Sequence, residues 1–370
     1  MQIIDKGAFP ALFQFSESTN NYKAMKKIQI LTFLLIALLT SCKESKEESF
    51  LTVTNKIIQL NEASVLKGKR VDLEIMGLCN GFCADSLFLF RSLETRNGIK
   101  LYNCNTLEFC GELFKTGKGP GEYINLVTNG QYENTSEGIK LWVSDNQLKK
   151  IRKINLTRSL QEKKVIMELE YSYRGDFFSP YYINDTCIVT EFYIGNNMSF
   201  CAFNPVNQKR TDFFNFFNQD LKGDDLFYVS GNSGIKPDKS KIAYAMIYLN
   251  QVLITSIDGK DRFSVSIGPP VSKDKVDRTS RRNKVEYFTS VAVTNNQIWL
   301  LYQGSTRSDI ELSNTKEPSQ IMVLDWEGNL LHYFRLQKRL IKIFIDQTKS
   351  LLYGIDNEEN IIRYNIKDIR

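Results

Sequence analysis

Nucleophiles, proton carriers and metal-ligand atoms are sparse in this 370-residue chain. It has one histidine, His332, the single candidate for a histidine-based triad, and its place inside an expected outer strand (LLHYFRL) reads as a surface or packing role; a histidine-rich metal site has no raw material. Apart from Cys42, six cysteines remain (Cys79, Cys83, Cys104, Cys110, Cys187 and Cys201), and six thiols allow fifteen pairings that sequence cannot choose between. Cys79 and Cys83 lack a second pair at zinc-finger spacing. Asp224-Asp225 lacks the spaced oxygen ligands of a calcium loop. Gly117-Lys118-Gly119-Pro120-Gly121 is glycine-rich, but a phosphate cradle needs Gly-Lys-Ser/Thr opening a helix, and Pro120 removes a donor. No catalytic residue, cofactor site or metal site is therefore expected. The remaining candidates are the turn residues Asp145, Asp258 and Asp356, expected to join corresponding strands of a repeated unit and so to gather on one binding face.

The strongest chemical signal concerns the cell's handling of the chain. Lys26 and Lys27 precede an apolar run, Ile28 to Leu39, which ends in Leu39-Thr40-Ser41-Cys42. This layout resembles a bacterial lipoprotein signal peptide, with Cys42 as the residue that is acylated. The apolar run is short for a membrane-spanning helix. Residues 25–41 are thus expected to be a signal peptide and residues 1–24 a mis-assigned start. Residues 42–50 form a charged tether on a lipidated Cys42, leaving residues 51–370 as the folded domain. Four lysines and two acidic residues precede Cys42, so loss of residues 1–41 takes the net charge from +6 to +4. That mild charge offers no nucleic-acid footprint. The basic runs Lys149 to Lys153 and Arg278 to Lys284 read as strand faces or loops.

The elements that must position these residues repeat. Runs of β-branched and aromatic residues begin at Ser86, Gly138, Thr186, Lys241, Gln297 and Ser350, about fifty residues apart. Each is followed, after a polar turn, by another strand, at Gly98, Gln147, Met198, Gln251, Gln320 and Asn360. Outer strands follow in most units, and innermost strands are expected at Val71–Leu78, from Tyr287 and from Leu340. Four strands in each of six units predict an all-β, six-bladed β-propeller of four-stranded antiparallel blades. The last unit lacks an outer strand. An N-terminal strand, Leu51 to Leu60, is expected to supply it and close the ring.

Pro237-Asp238-Lys239-Ser240-Lys241-Ile242-Ala243-Tyr244 resembles the P-D-G-x-x-I-A-F signature of TolB-type repeats, with Lys239 in place of glycine. Gly117-Lys118-Gly119-Pro120-Gly121-Glu122-Tyr123 is similar to a G-x-G-P-G-E-[FY] loop of Bacteroidetes propeller lipoproteins. With the lipobox, the mature chain resembles the TolB-like six-bladed propeller lipoproteins of Bacteroidetes. The resemblance implies a lipid-anchored protein of the cell envelope, most simply at the outer membrane. Its expected partners are the membrane, through the anchor, and an envelope protein, peptide or glycan bound without turnover. The competing expectation is a propeller lyase or hydrolase using acidic residues or a metal at the central channel.

Overall fold

The structure, a computed structural model, describes residues 53–92, 98–119, 121–194, 197–215, 230–272, 275, 278–306, 308–309 and 317–369. The signal segment and Cys42 lie outside the described residues. Three short strands come first: β1 (Asn55–Ile58), β2 (Ser64–Val65) and β3 (Gly68–Arg70). Blade 1 is β4 (Leu78–Ala84), β5 (Leu87–Ser92), β6 (Ile99–Asn103) and β7 (Phe109–Leu113). Blade 2 is β8 (Leu126–Val127) and β9 (Tyr132–Thr135), both paired with β10 (Gly138–Asp145), then β11 (Lys150–Asn155) and β12 (Met167–Ser172), with helix α1 (Leu156–Glu162) between the last two. Blade 3 is β13 (Tyr181–Asn184), β14 (Cys187–Ile194), β15 (Asn197–Asn204) and β16 (Lys209–Asn215). Blade 4 is β17 (Gly231–Ile235), β18 (Lys241–Met246), β19 (Gln251–Ser256) and β20 (Arg262–Ile267). Blade 5 is β21 (Val285–Val293), β22 (Gln297–Thr306), β23 (Gln320–Asp325) and β24 (Leu330–Arg335). Blade 6 is β25 (Leu340–Asp346), β26 (Leu351–Asp356) and β27 (Ile361–Asn365), completed by β3. The fold is a six-bladed β-propeller.

The second strand of each blade is a nearly continuous apolar run because both of its faces are buried. In β18, Ile242, Tyr244 and Met246 pack toward blade 3, while Ala243 and Ala245 pack toward blade 5. In β22, Ile298 and Leu300 face blade 4, and Trp299 and Leu301 face blade 6. This period of two builds one hydrophobic cluster at each of the six seams between blades. Trp142, Trp299 and Trp326 are all buried in these seams, which accounts for them as packing residues.

Ring closure departs from expectation. Leu51 to Leu60 does not complete the last blade: β1 lies parallel to β20 on the outer edge of blade 4, and β2 lies parallel to β24 on blade 5. The side chain of Asn55 keys the first pairing, donating to Ser266 Oγ at 2.8 Å and accepting from Ser264 Oγ at 2.8 Å. The strand that closes blade 6 is β3, antiparallel to β27. It fits there because Gly68 has no side chain; a Cβ would sit 2.5 Å from Ile362 and from the Tyr364 ring. The seam between blades 6 and 1 is aromatic, with Phe88 edge-on to Tyr353 at 4.9 Å between ring centroids. The innermost strand of blade 1 is β4, which begins only at Leu78, the last residue of the expected Val71–Leu78 strand; Val71 to Gly77 is instead a connection whose Val71 and Ile75 plug that same seam.

Candidate functional site

The innermost strands of all six blades converge on a central channel of about 430 Å³. Its polar lining comes largely from neutral groups, among them Asn80, Asn129, Gln131, Ser179, Asn232 and Ser233. Among the described residues no carboxylate lines it, and the cations there are Lys239 and Lys342. Lys239 is well partnered. Its ammonium donates to the Ile183 carbonyl at 3.3 Å and to Glu133 Oε1 at 3.4 Å, and lies 5.0 Å from the Tyr182 ring centroid. Lys342 has no hydrogen-bond or ion-pair partner among the described residues, and burial pushes its pKa down. It occupies the third position of β25, and Asn80 occupies the third position of the neighbouring innermost strand β4. The Asn80 side-chain Oδ1 accepts the Gly81 N–H at 2.9 Å, and no acceptor among the described residues takes its amide hydrogens.

Between blades 3 and 4 the channel wall hides a buried carboxyl. Tyr181 donates its hydroxyl to Ser233 Oγ at 3.0 Å, and Glu191 behind them accepts the Ser179 N–H on Oε2 at 3.0 Å. Glu191 is fully buried and its Oε1 has no partner. Burial raises its pKa to about 7, against the opposing pull of the Ser233 hydroxyl and nearby backbone N–H groups.

The three aspartates singled out from sequence do not come together. Asp145 and Asp356 end the second strands of blades 2 and 6 and share one face, but Asp258 follows the third strand of blade 4, whose turn lies at the opposite end. None lines the channel. Each carboxylate is engaged in its own turn. Asp145 accepts the N–H groups of Ile124, Asn125, Gln147 and Leu148. Asp356 accepts from the Glu358 and Asn360 N–H groups and from Lys338 Nζ at 3.0 Å. Its burial is outweighed by the Asn360 and Lys338 donors, which hold its pKa below the usual range. Asp258 is held low by the Ser256 hydroxyl and by Lys260.

The glycine loop is also structural. Glu122 Oε2 accepts the Gly119 N–H at 2.8 Å, and Arg152 donates to the Glu122 carbonyl at 2.9 Å while lying over the Tyr123 ring, pinning the crossover from blade 1 to blade 2. The basic run Lys149, Lys150, Arg152 and Lys153 is neutralised by Asp176, Glu170 and Glu133. His332 sits in outer strand β24, its ring stacked on Phe334.

One ligand-type cluster escaped the sequence because its members are far apart in the chain. Cys83, Cys104 and Asp346 bring their ligand atoms within 4.8 Å of one another at the seam of blades 6 and 1, with the two sulfurs 3.4 Å apart. The donor set suits a thiophilic divalent cation. Lys349 Nζ, however, already stands 3.5 Å from Asp346 Oδ2, and no fourth ligand joins the three among the described residues. Lys342, by contrast, had a signal in the sequence. It is the lone cation flanked by aliphatic residues in an innermost strand, Leu340-Ile341-Lys342-Ile343.

No protein-family model matches the sequence, and no curated protein matches it. Solved structures do. A Bacteroides fragilis protein described as exported is similar over 84% of this chain and 99% of its own length, at 12% identity and a TM-score of 0.53. Part of the hydrazine synthase of Kuenenia stuttgartiensis aligns over 81% of this chain and 80% of that one, at 11% identity and a TM-score of 0.46. The extracellular domain of a one-component system from Bacteroides thetaiotaomicron aligns over 77% of this chain and 33% of its own, at 16% identity and a TM-score of 0.43. These likenesses concern the propeller fold. No helix among the described residues is long and apolar enough to cross a membrane.

Proposed function

We propose that this chain is a lipid-anchored propeller of the bacterial cell envelope that binds a glycan, peptide or envelope protein at its central channel without chemically altering it. The observation that carries the reading is the channel itself. It is open, lined from all six blades largely by neutral hydrogen-bonding groups, and no carboxylate stands among the described residues that line it. The TolB-like resemblance and the lipobox at Cys42 support the envelope address. A soluble form beginning at Lys43 should retain an envelope glycan or protein from the cells that make it and release it unchanged. Cys42→Ala should free the full chain from membranes or leave an unprocessed precursor. Turnover in lyase, esterase or glycosidase panels that is lost on substituting channel residues would replace the binding reading with an enzymatic one.

A further inference from the structure

We infer that the central channel is a site for an anionic group, a carboxylate or phosphate on a small molecule or on the end of a larger one, with Lys342 as its counter-ion and Asn80 as a neighbouring donor. This rests on the channel being the binding site and adds the chemical class of what enters it.

The argument begins with charge balance. Lys342 is half-buried, its stem against the channel wall, and an ammonium held beside low-dielectric walls without a partner is poorly compensated, so proteins usually pair one. The buried cations Arg152 and Lys140 follow that rule: Arg152 is matched by Glu170 at 2.7 Å, and Lys140 by Glu168 at 2.9 Å. Lys342 alone among the channel's two cations lacks a partner. Among the described residues the lining contains no carboxylate. An incoming anion would supply the missing charge, and the low-dielectric walls would strengthen the pairing beyond its value in water. Asn80, at the same depth on the adjacent strand, has amide hydrogens to spare for a second oxygen. A cationic ligand would meet only repulsion there.

A second basic concavity complicates the test. Lys67, Lys69, Lys349, Arg363 and Lys367 border a hollow of about 610 Å³ on the outer edge of blade 6, where anions would also collect by surface attraction. The two sites are separated by variants. Binding of glucuronate, glycerol phosphate and glucose to the soluble chain would be followed by calorimetry and thermal shift in the wild type, Lys342→Met, Lys342→Arg and the double variant Lys69→Glu/Arg363→Glu. Loss of a charge-assisted contact should weaken anion binding about tenfold or more in Lys342→Met. Lys342→Arg and the double variant should bind as the wild type does, and glucose should not bind. Preference for glucuronate would identify an acidic sugar, and preference for glycerol phosphate a phosphorylated headgroup. Without ligand, Lys342→Met should melt no lower than the wild type, since it removes an unpaired charge from the channel wall. Should it fail to fold, Lys342→Gln takes its place in the series. Anion binding that survives loss of Lys342, that disappears instead in the outer-edge variant, or that is absent from the wild type overturns the inference. Binding of glucose alone overturns it too, while leaving the binding function standing.

Discussion

Glu191→Gln isolates the effect of one buried carboxyl on the stability of the whole ring. The residue is 0% exposed, one of its oxygens has no partner, and burial lifts its pKa from 4.5 to about 7. A carboxyl whose folded pKa lies above its unfolded one is tolerated while protonated and penalised once the unfolded chain can ionise. Its contribution is therefore intact below pH 4.5 and is lost as pH rises to about 7. At about 1.4 kcal/mol per pH unit across that window, the loss amounts to about 3 kcal/mol and then levels off. Glutamine keeps an acceptor for the Ser179 N–H and cannot ionise. Urea unfolding of wild type and Glu191→Gln at several pH values from 4 to 8.5 should therefore show the variant gaining on the wild type by about 3 kcal/mol between pH 4 and 7.5. Taking the difference between the two proteins cancels every other titrating group. A difference that stays constant with pH would refute the reasoning, because it would mean that Glu191 titrates as a solvated acid.

Three further outcomes are expected. Truncation to a start at Asn61 removes β1 but keeps β3 and should lower the melting temperature modestly, whereas a start at Val71 opens blade 6 and should destabilise severely; equal melting of the two would overturn the assignment of β3 as the closing strand. Gly68→Leu forces a side chain against Ile362 and Tyr364, and overpacking of that kind should cost about 1–3 kcal/mol in chemical denaturation. In thiol labelling of the reduced native protein, exposed Cys110 should react first, while buried Cys83, Cys104 and Cys201 should resist until unfolding, burial having pushed Cys201 up to about 12. Rapid labelling of Cys201 would contradict its place in the core.

Much of the ring was legible because the middle strands of a blade are buried on both faces. The six runs expected as second strands, from LFLF at Leu87 to LLYGID at Leu351, are β5, β10, β14, β18, β22 and β26. Innermost strands are harder to read, since one side faces a polar channel. In β4, Leu78-Cys-Asn-Gly-Phe-Cys-Ala has no apolar alternation to betray it, while the alternating Val71-Asp-Leu-Glu-Ile that was read as a strand uses its apolar residues in a loop. The closing segment shows a different limit. Leu51–Leu60 does contain a strand, but whether it joins blade 4 or blade 6 is decided by Asn55 meeting two serines more than 200 residues away. The candidate site was hidden for a similar reason. Asp145, Asp258 and Asp356 stand out by type, yet only topology reveals that strand order puts them on different faces and that their own turns engage their oxygens. Lys342 stands out in sequence as a cation among aliphatic residues, but its lack of a partner among the described residues shows only once the other blades surround it.

The N-terminal segment pairs in turn with blades 4, 5 and 6 before the chain enters blade 1, and this order has a mechanical consequence. Tension applied from the N-terminal side reaches β1 first. There the strand is held parallel to β20 by a register running from Asn55 to Ile58, so a pull along its axis loads those hydrogen bonds together in shear. Only after β1 has slipped does the load pass to the two residues of β2, and only after that to β3, on which closure of the ring depends. The strap therefore acts as a sacrificial fastener. It can yield in steps while the channel keeps its shape, and extension curves should show these short releases before the blades come apart.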